Sequence, residues 1–425
     1  MKIDKLLTAG ALSAGLMPLQ AAAQDAQIWS YWGTGAEAAA LEALVDVNNS
    51  ENADTPIGTR TISGNSSEMR RAMQVSFLGG TPPAVYQSGF GMDLKSFLDA
   101  ERIANIDSVI ADVPGVAEMS SGIKRVVSFD GDMYAVPLNL HIISNVFYNT
   151  AIFDELGIEP PKTAEEFRAA AEKIDAAGYE VLGNAGGGSW TFYTAFPFLI
   201  EELGQDDLFA FTSGEIPFTD ERVVTAFQEW TDTYVDNYME NWSGYSWADT
   251  AAQFAQGKVA MYQMGDWLSA YLADAGWTAG EQYDFFSAPG LDGAVVVQMD
   301  VLAKPSGLDE ATSAVADAFL KTASGAEGQL AFNVKKGSVA ANPESTDEGY
   351  SAYGELAYQQ IQEATAADKV IPNPKFLFPT KLDEEIKNDT IAYAQDPSEE
   401  ALMEMLEKLD AMRVELEDAG EFIKW

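Results

Sequence analysis

The sequence has 425 residues, with 25 lysine and arginine residues against 66 aspartate and glutamate residues and a net charge of −41. A field of this sign repels phosphate backbones and anionic lipids, which argues against nucleic acid and membrane surfaces as partners. The acidic residues are spread along the whole chain, so the favoured interpretation is a solvated surface suited to salty surroundings. The alternative, a calcium site, lacks the loop of alternating Asp and Asn ligands that an EF-hand requires.

Cysteine is absent and His141 is the single histidine. This composition excludes disulfides, a thiolate nucleophile, cysteine-based zinc sites and histidine-rich metal sites. We therefore predict no metal and no cofactor.

The first residues predict export. Lys2 and Lys5 form a short basic region, residues 6–17 are apolar, and residues 21–23 are three alanines suited to signal peptidase. We predict a signal peptide at residues 1–23, because the apolar stretch is too short to span a bilayer. No cysteine is available for a lipid anchor near the cleavage position, so the expected location is a periplasm.

Without the signal peptide, roughly 400 residues remain, which is too long for one ordinary core and suits two lobes. The alternation of helical patterns with short apolar or β-branched runs predicts an α/β fold.

The first predicted elements bring a strand end next to a helix start. Residues 27–31 predict a strand, and Thr34 and Glu37 have the spacing of a capping box that opens a helix through Val47. Ligands of open α/β sheets lie at such junctions, so residues 31–37 are a candidate site.

Three later segments carry clear signals. Thr163 and Glu166 predict the cap of a helix over 167–177 that Gly178 ends, and a second helix is predicted over 219–238. Residues 294–302 predict one strand in which Asp300 is a charge in an otherwise buried run. Such a charge is costly unless it is paired or holds a polar ligand.

Aromatic residues recur beside polar or glycine-rich sequence at Tyr31, Trp32, Trp190, Trp247 and Trp267. Sugar rings present C–H patches edged by hydroxyl groups, and they are bound by aromatic faces together with a few convergent polar groups. Each aromatic residue could instead fill the core.

The polar candidates also have structural alternatives. Glu37 can cap its helix or bind a ligand, Gln87 lies at the end of a predicted strand, and Lys336 can be a cation at a helix C-terminus. For His141 a structural role is favoured, because no serine nucleophile elbow is present to partner it. The many carboxylates leave a glycosidase pair open.

Several motifs follow one another along the chain in a recognisable order. They are the aromatic pair, glycine-rich turn and glutamate at 30–38, the strand ending in Gln87 at 79–87, and the segments 136–141, 157–163, 254–261, 264–267, Asp300 and 336–338. In these motifs the chain resembles extracellular solute-binding proteins of the maltose-binding class, and most closely the glucose-type monosaccharide binders. The resemblance covers nearly the whole chain after residue 23.

The resemblance implies the periplasmic binding protein fold, with two α/β lobes, a three-segment hinge at 133–141, 284–293 and 336–341, and a ligand cleft between the lobes. It implies one lobe of residues 24–136 plus 292–338 and a second of 137–291 plus 339–425. It also implies a non-enzymatic, monomeric protein that delivers a small sugar to the permease of an ABC importer in the inner membrane.

Carried over to this chain, the resemblance implies two sets of site residues. Stacking or packing on the sugar is expected from Tyr31, Trp32, Trp247 and Trp267, and hydrogen bonds to its hydroxyl groups are expected from Glu37, Gln87, Asp300 and Lys336.

Two departures bear on which sugar is bound. Tyr31 stands where the family has the first of two tryptophans, and residues 370–378 lack the family's histidine. Lys375 or Phe376 is the candidate for that wall. Three alternatives remain at this stage: an exported glycoside hydrolase, a binder of iron or another ion that uses Tyr31, and a recognition module for larger polysaccharides.

Overall fold

The computed structural model describes residues 26–64 and 66–425, with the side chain at position 67 left out. The predicted signal peptide therefore lies outside the described residues. Within them, strands and helices alternate and the strands form one sheet of five, two of four and one of two. No helix in this part of the chain combines the length and hydrophobicity needed to cross a bilayer.

The first large sheet comes mainly from the N-terminal third of the chain. Its strands lie in the order β2 (Gly58–Thr61), β1 (Gln27–Ser30), β3 (Val85–Ser88), β13 (Val301–Ala303) and β6 (Ala135–Pro137). β1 is parallel to β2 and β3, whereas β13 is antiparallel to β3 and β6. The helices of this part are α1 (Gly35–Glu51), α2 (Ser66–Gly79), α3 (Met92–Asp99), α4 (Asp107–Ile110), α5 (Ser121–Arg125), α13 (Glu310–Ser324) and α14 (Ala326–Lys336), and a hairpin joins β4 (Ser128–Phe129) to β5 (Asp132–Met133).

The second large sheet has the order β11 (Tyr283–Ser287), β8 (Asn145–Asn149), β10 (Val259–Gln263) and β9 (Glu180–Gly183). All five residues of β10 are buried, as expected for a mostly apolar inner strand that is covered on both faces. The helices of this part are α6 (Thr150–Leu156), α7 (Ala164–Ala176), α8 (Trp190–Tyr193), α9 (Phe196–Thr212), α10 (Glu221–Thr233), α11 (Trp247–Ala255), α12 (Trp267–Asp274), α16 (Thr380–Gln395) and α17 (Glu399–Asp418).

A third sheet is formed where the chain passes between the two large ones. Its strands lie in the order β14 (Val339–Ala340), β7 (Asn139–Ile142), β12 (Val295–Gln298) and β15 (Val370–Pro372), and α15 (Ala352–Ala366) packs against it. Only Leu138 separates β6 of the first sheet from β7. Only Met299 and Asp300 separate β12 from β13. These two short connections lie side by side, because Leu138 is hydrogen-bonded to Asp300.

The structure corrects one predicted strand. Residues 294–302 form two strands in different sheets, and the chain breaks between them at Met299 and Asp300. The break is held by Leu138, whose backbone N–H donates to the carbonyl oxygen of Asp300 at 3.0 Å. Alternation of side chains could not reveal that the pairing partner changes in mid-run.

Helix boundaries agree with the predictions in part. The helix predicted from Thr163 begins at Ala164, and the Thr163 hydroxyl accepts from the backbone N–H of Glu166 at 3.2 Å. The helix predicted over 219–238 is shorter, because α10 ends at Thr233 and a 3-10 turn at Val235–Asn237 follows the fully buried Tyr234.

Candidate ligand-binding site

Asp300 is the centre of a polar network at the link between β12 and β13. Its Oδ1 accepts from Gln87 Nε2 at 2.9 Å and from the Tyr31 hydroxyl at 3.3 Å. Its Oδ2 accepts from Asn139 Nδ2 at 3.0 Å, and its backbone N–H donates to Asn139 Oδ1 at 2.7 Å. The structure therefore brings together three predicted site residues and adds Asn139, which sequence reasoning missed.

The fold explains why these residues meet. Tyr31 directly follows β1, Gln87 lies near the carboxyl end of the neighbouring parallel strand β3, and Tyr31 donates its backbone N–H to Gln87 Oε1 at 3.1 Å. β13 pairs with β3 in the register that sets Leu302 opposite Gln87, so Asp300 comes just beyond the end of β3. The predicted site residues Tyr31 and Gln87 therefore lie at the carboxyl ends of β1 and β3.

The chemistry of Tyr31 follows from its surroundings. Burial raises the pKa of its hydroxyl well above the usual value, and the carboxylates of Asp300, Asp93 and Glu37 raise it further. The hydroxyl therefore stays protonated at neutral pH and serves as a hydrogen-bond donor.

Asp93 and Arg70 form a second charged pair beside this network. Arg70 Nη2 donates to Asp93 Oδ1 at 2.8 Å, and a Cβ added at Gly89 would lie 2.3 Å from Asp93 Oδ2. Burial raises the pKa of Asp93, whereas the charges of Arg70 and Lys375 act in the opposite direction. Sequence reasoning missed both residues, although a carboxylate in the helix turn after the Gln87 strand was a usable signal.

Glu37 and Lys336 meet at the ends of two helices. Lys336 Nζ lies 2.5 Å from Glu37 Oε1, and the Glu37 side chain is 42% exposed while that of Lys336 is 11% exposed. Glu37 was also predicted to complete a capping box with Thr34. That prediction was wrong, because the Thr34 side chain makes no cap hydrogen bond and the Glu37 carboxylate is drawn to Lys336 instead.

Trp32 lies behind this ion pair. Its side chain is 1% exposed, its ring centroid is 4.9 Å from that of Phe332, and the Lys336 ammonium group lies 6.0 Å from the indole centroid. Trp32 is therefore a core residue that packs on the first large sheet, and its ring contacts the lysine of the ion pair.

Indole rings form a wall on the side of the second sheet. The ring of Trp267 lies 5.7 Å from that of Trp190 and 5.8 Å from the imidazole of His141. A Cβ added at Gly265 would lie 2.1 Å from Trp267, so the indole covers the backbone of that glycine. Trp190 was noted in the sequence but not predicted as a site residue.

Trp247 stands at the start of α11. The helix begins with a complete capping box between Ser246 and Asp249, and the Trp247 carbonyl oxygen accepts from the Tyr262 hydroxyl at 3.2 Å. The Trp247 ring lies 6.1 Å from that of Tyr271. Partly buried aromatic rings border one shared hydrophobic cluster: Tyr31, Trp190, Trp247, Trp267 and Phe376.

The segment after β15 contacts both β12 and the turn that follows β3. Asn373 Nδ2 donates to Gln298 Oε1 at 3.0 Å, and the ring of Phe376 lies 4.7 Å from that of Phe90. The charge of Lys375 acts on both Asp93 and Asp383. The Lys375 charge therefore favours the ionised form of both carboxylates.

Asp383 provides a test of these electrostatics. Burial raises its pKa to about 6, with Lys375 opposing the change, and its Oδ1 has no hydrogen-bond partner among the described residues. The folded chain therefore binds this proton more tightly than the unfolded chain does. The resulting stability is fully present below about pH 4 and is lost as the pH rises through about 6.

We expect Asp383→Asn to raise the free energy of unfolding at pH 7.5 by about 2–3 kcal/mol, and to have little effect at pH 4. Urea unfolding at pH 4, 5, 6 and 7.5 measures the difference. Asp292→Asn is the control, because the Asp292 side chain is 99% exposed. Equal offsets between Asp383→Asn and the wild type at all four pH values would contradict the prediction.

The large α/β sheets joined through a third one, with buried carboxylates and indoles near the junctions, define a ligand-binding protein with the periplasmic binding protein fold. Solved structures confirm the predicted fold class. A bacterial solute receptor described as preferring β-D-galactopyranose superposes with a TM-score of 0.78 at 20% identity, over 92% of this chain and 98% of that one. A chitin oligosaccharide binding protein superposes with a TM-score of 0.71 at 20% identity, over 92% and 99% of the two chains.

The chain belongs to the bacterial extracellular solute-binding protein family, whose sequence profile matches residues 32–330. It is accordingly a solute-binding protein and not an enzyme, which removes the glycoside hydrolase alternative. A probable sugar-binding periplasmic protein of Brucella melitensis is 27% identical over 86% of this chain and 87% of the relative. The xylose/arabinose-binding protein of Haloferax volcanii is 23% identical over 79% and 73%.

Proposed function

We propose that this protein is the periplasmic sugar-binding component of an ABC importer, which captures a glucose-like monosaccharide or a short oligosaccharide and delivers it to a membrane permease. The observation that carries the proposal is that β7 contacts both groups: its Asn139 bonds to Asp300 of the polar network, and its His141 packs on the Trp267 indole. Carboxylate and amide groups bind paired hydroxyls, and an aromatic ring covers a C–H face, which together are what a sugar ring requires.

The proposed contacts fall into two sets. Glu37, Gln87, Asp300 and Lys336 are proposed to bind hydroxyl groups, and Tyr31, which was expected to pack on the sugar, is proposed to bind a hydroxyl group as well because its own hydroxyl belongs to the Asp300 network. The aromatic side chains are proposed to pack on the ring, with Trp267 and Trp247 in direct contact and the buried Trp32 in support.

We further propose a monomer with two lobes, of residues 24–136 plus 292–338 and of residues 137–291 plus 339–425. The grouping of strands 27–137 in the first sheet and 145–287 in the second supports this division. The pairing of β12 with β7 and β15 favours a different second boundary, with the crossing at Met299 and Asp300 rather than within 284–293, which would move residues 292–298 to the second lobe. Ligand would favour closure by binding the closed arrangement better than the open one.

The hydrogen bonding of Tyr31 suits a sugar. Its hydroxyl donates to Asp300 at 3.3 Å, and its backbone N–H donates to Gln87 Oε1 at 3.1 Å. A protonated hydroxyl bonded to Asp300 suits a neutral polyol. The names of the Brucella and Haloferax relatives support the same ligand class.

Isothermal titration calorimetry against D-glucose, D-galactose, D-xylose, L-arabinose, raffinose and chitin oligosaccharides tests the proposal. We expect saturable binding of at least one sugar, and Trp267→Ala should weaken it by about tenfold to a hundredfold, because stacking and apolar burial are lost.

The matched control is Trp277→Ala, because the Trp277 ring packs on Phe254 away from the Asp300 network. This substitution should leave the affinity within about threefold of the wild type, as expected for a site with no shared contact. No heat with any sugar would refute the proposed function. Affinity that rises steadily with chain length would indicate a polysaccharide-recognition module instead.

A further inference from the structure

Strand β7 carries two polar side chains on one face. Asn139 and His141 are two residues apart, so they point to the same side, while Leu140 and Ile142 face the hydrophobic cluster. Both polar side chains are buried, at 0% and 7% exposure. Buried polar groups need partners, and Asn139 is bonded to Asp300 whereas His141 is bonded to Asp266.

Asn139 holds the polar wall of the proposed site, which consists of Tyr31, Gln87 and Asp300. It is joined to Asp300 by two hydrogen bonds, one from its side-chain amide group and one to its side-chain oxygen. This double contact fixes the orientation of the carboxylate that also binds Gln87 and Tyr31.

His141 is joined through Asp266 to the aromatic wall, which consists of Trp190 and Trp267. His141 Nδ1 and Asp266 Oδ1 are 2.5 Å apart, and Asp266 Oδ2 accepts from the backbone N–H of Ile142 at 3.2 Å. The backbone N–H of Asp266 donates in turn to the Ile142 carbonyl oxygen at 3.0 Å. Because a carboxylate can only accept, the Nδ1 atom carries the proton and donates.

The position of Asp266 makes this contact unusual. It is the N-cap residue of α12, where an aspartate ordinarily accepts from the backbone of its own helix, yet no side-chain cap hydrogen bond forms. Such a cap normally stabilises the start of a helix. The carboxylate is turned instead toward the strand that also orients Asp300.

Trp267 follows Asp266 directly. Its indole is confined by the backbone of Gly265, by the ring of Trp190, and by the imidazole edge of His141. The imidazole thus touches the indole with its ring and holds the preceding residue with its Nδ1 atom.

We propose that Asn139 and His141 are positioning residues, through which one short strand sets the polar wall and the aromatic wall of the site relative to each other. This inference rests on the proposed function for its ligand. His141 acts through Asp266 on Trp267, and Asn139 acts through Asp300. A rotation of β7 moves both walls together. The shape of the site therefore depends on the third sheet, through which the chain passes between the two large sheets.

The first test needs no ligand. In protein labelled with ¹⁵N-tryptophan, the indole N–H signal of Trp267 is assigned by its loss in Trp267→Phe. His141→Leu should shift this signal. His141→Asn should bring it back toward the wild-type position, because an asparagine amide can donate to Asp266 in place of Nδ1.

The second test uses the sugar with the highest affinity in the calorimetric panel. His141→Leu should weaken binding by about tenfold, and His141→Asn should recover to within about threefold of the wild type, as expected for a restored hydrogen bond to a charged group. Since His141 is the only histidine, its imidazole signals in ¹⁵N-histidine-labelled, tag-free protein should also shift when the sugar is added.

Asp220→Ala is the matched control for Asp266→Ala. Asp220 is an N-cap aspartate that does cap its helix, with its side chain accepting from Arg222 N. Its removal should lower stability and leave the affinity unchanged, whereas Asp266→Ala should lower the affinity about tenfold, as expected when a buried hydrogen bond to a charge is lost.

An unchanged Trp267 signal in folded His141→Leu would overturn the proposal, and so would failure of His141→Asn to restore the signal. If His141→Leu does not fold, the Trp267 indole N–H signal is compared instead between His141→Asn, which keeps a donor to Asp266, and Asp266→Asn, which removes the carboxylate charge. If no sugar binds, the proposed function fails while the ligand-free signals still judge the positioning role.

Discussion

Replacing Asp300 by alanine is expected to lower the affinity for sugar by at least about a hundredfold, because a hydrogen bond to a charged group contributes about 1.5–3 kcal/mol and several are lost together. The carboxylate orients Gln87, Tyr31 and Asn139, so its removal disturbs the ligand contacts of neighbouring groups as well as its own. Calorimetry with the best sugar of the panel measures the effect.

Asp292→Ala is the control for this substitution. Asp292 precedes β12 in the same stretch of chain, but its side chain is 99% exposed and its ion pair with Lys369 lies on the surface. It should bind sugar like the wild type. Affinity within tenfold of the wild type for folded Asp300→Ala would contradict the assignment of this network as the site, since one ordinary hydrogen bond would account for such a loss.

Replacing Trp32 by alanine is expected to lower the free energy of unfolding by about 3–5 kcal/mol, as for other large aromatic residues removed from a core. The reason is its burial at 1% exposure against Phe332 in the cluster that packs on the first large sheet. Denaturant unfolding of the ligand-free protein measures the change.

Lys336→Met provides the comparison in the same corner. It removes the ion pair with Glu37, but Glu37 is 42% exposed and can be hydrated, so stability should change by no more than about 1 kcal/mol. If Trp32→Ala unfolds as the wild type does while sugar affinity collapses, Trp32 would be a contact residue rather than a core residue.

These expectations separate two roles that the sequence pattern combines. An aromatic pair before a glycine-rich turn is typical of a sugar site, yet the two members lie in different environments. Tyr31 borders the Asp300 network and is partly exposed, whereas Trp32 points into the core. The two rings remain neighbours, with centroids 6.4 Å apart, so they differ in the depth of burial: Trp32 is enclosed by the core, and Tyr31 lies at its edge.

Sequence reasoning singled out those candidate site residues that local chemistry marks. Gln87 lies at the end of a buried strand, Tyr31 follows the first strand, and Asp300 stood out as a charge in an apolar run. Each of these signals is local, and each residue lies in the predicted region because strand ends and helix starts form the edge of an α/β sheet.

The contacts that sequence reasoning missed join residues far apart in the chain. His141 and Asp266 are separated by 125 positions, and Asn139 and Asp300 by 161. The wrong predictions have the same origin. The capping box failed because Glu37 is attracted to Lys336, 299 positions away, and the strand 294–302 divides because its two halves find different neighbours.

By itself, the sequence determined the α/β class, the exclusion of thiol chemistry and the type of side chain available at each strand end, because spacing and composition express local preferences. Only the tertiary structure decided which carboxylate meets which donor, which indole faces the site and which lies in the core. Those outcomes depend on the pairing of strands far apart in the chain, and a periodic pattern carries no information about its partner.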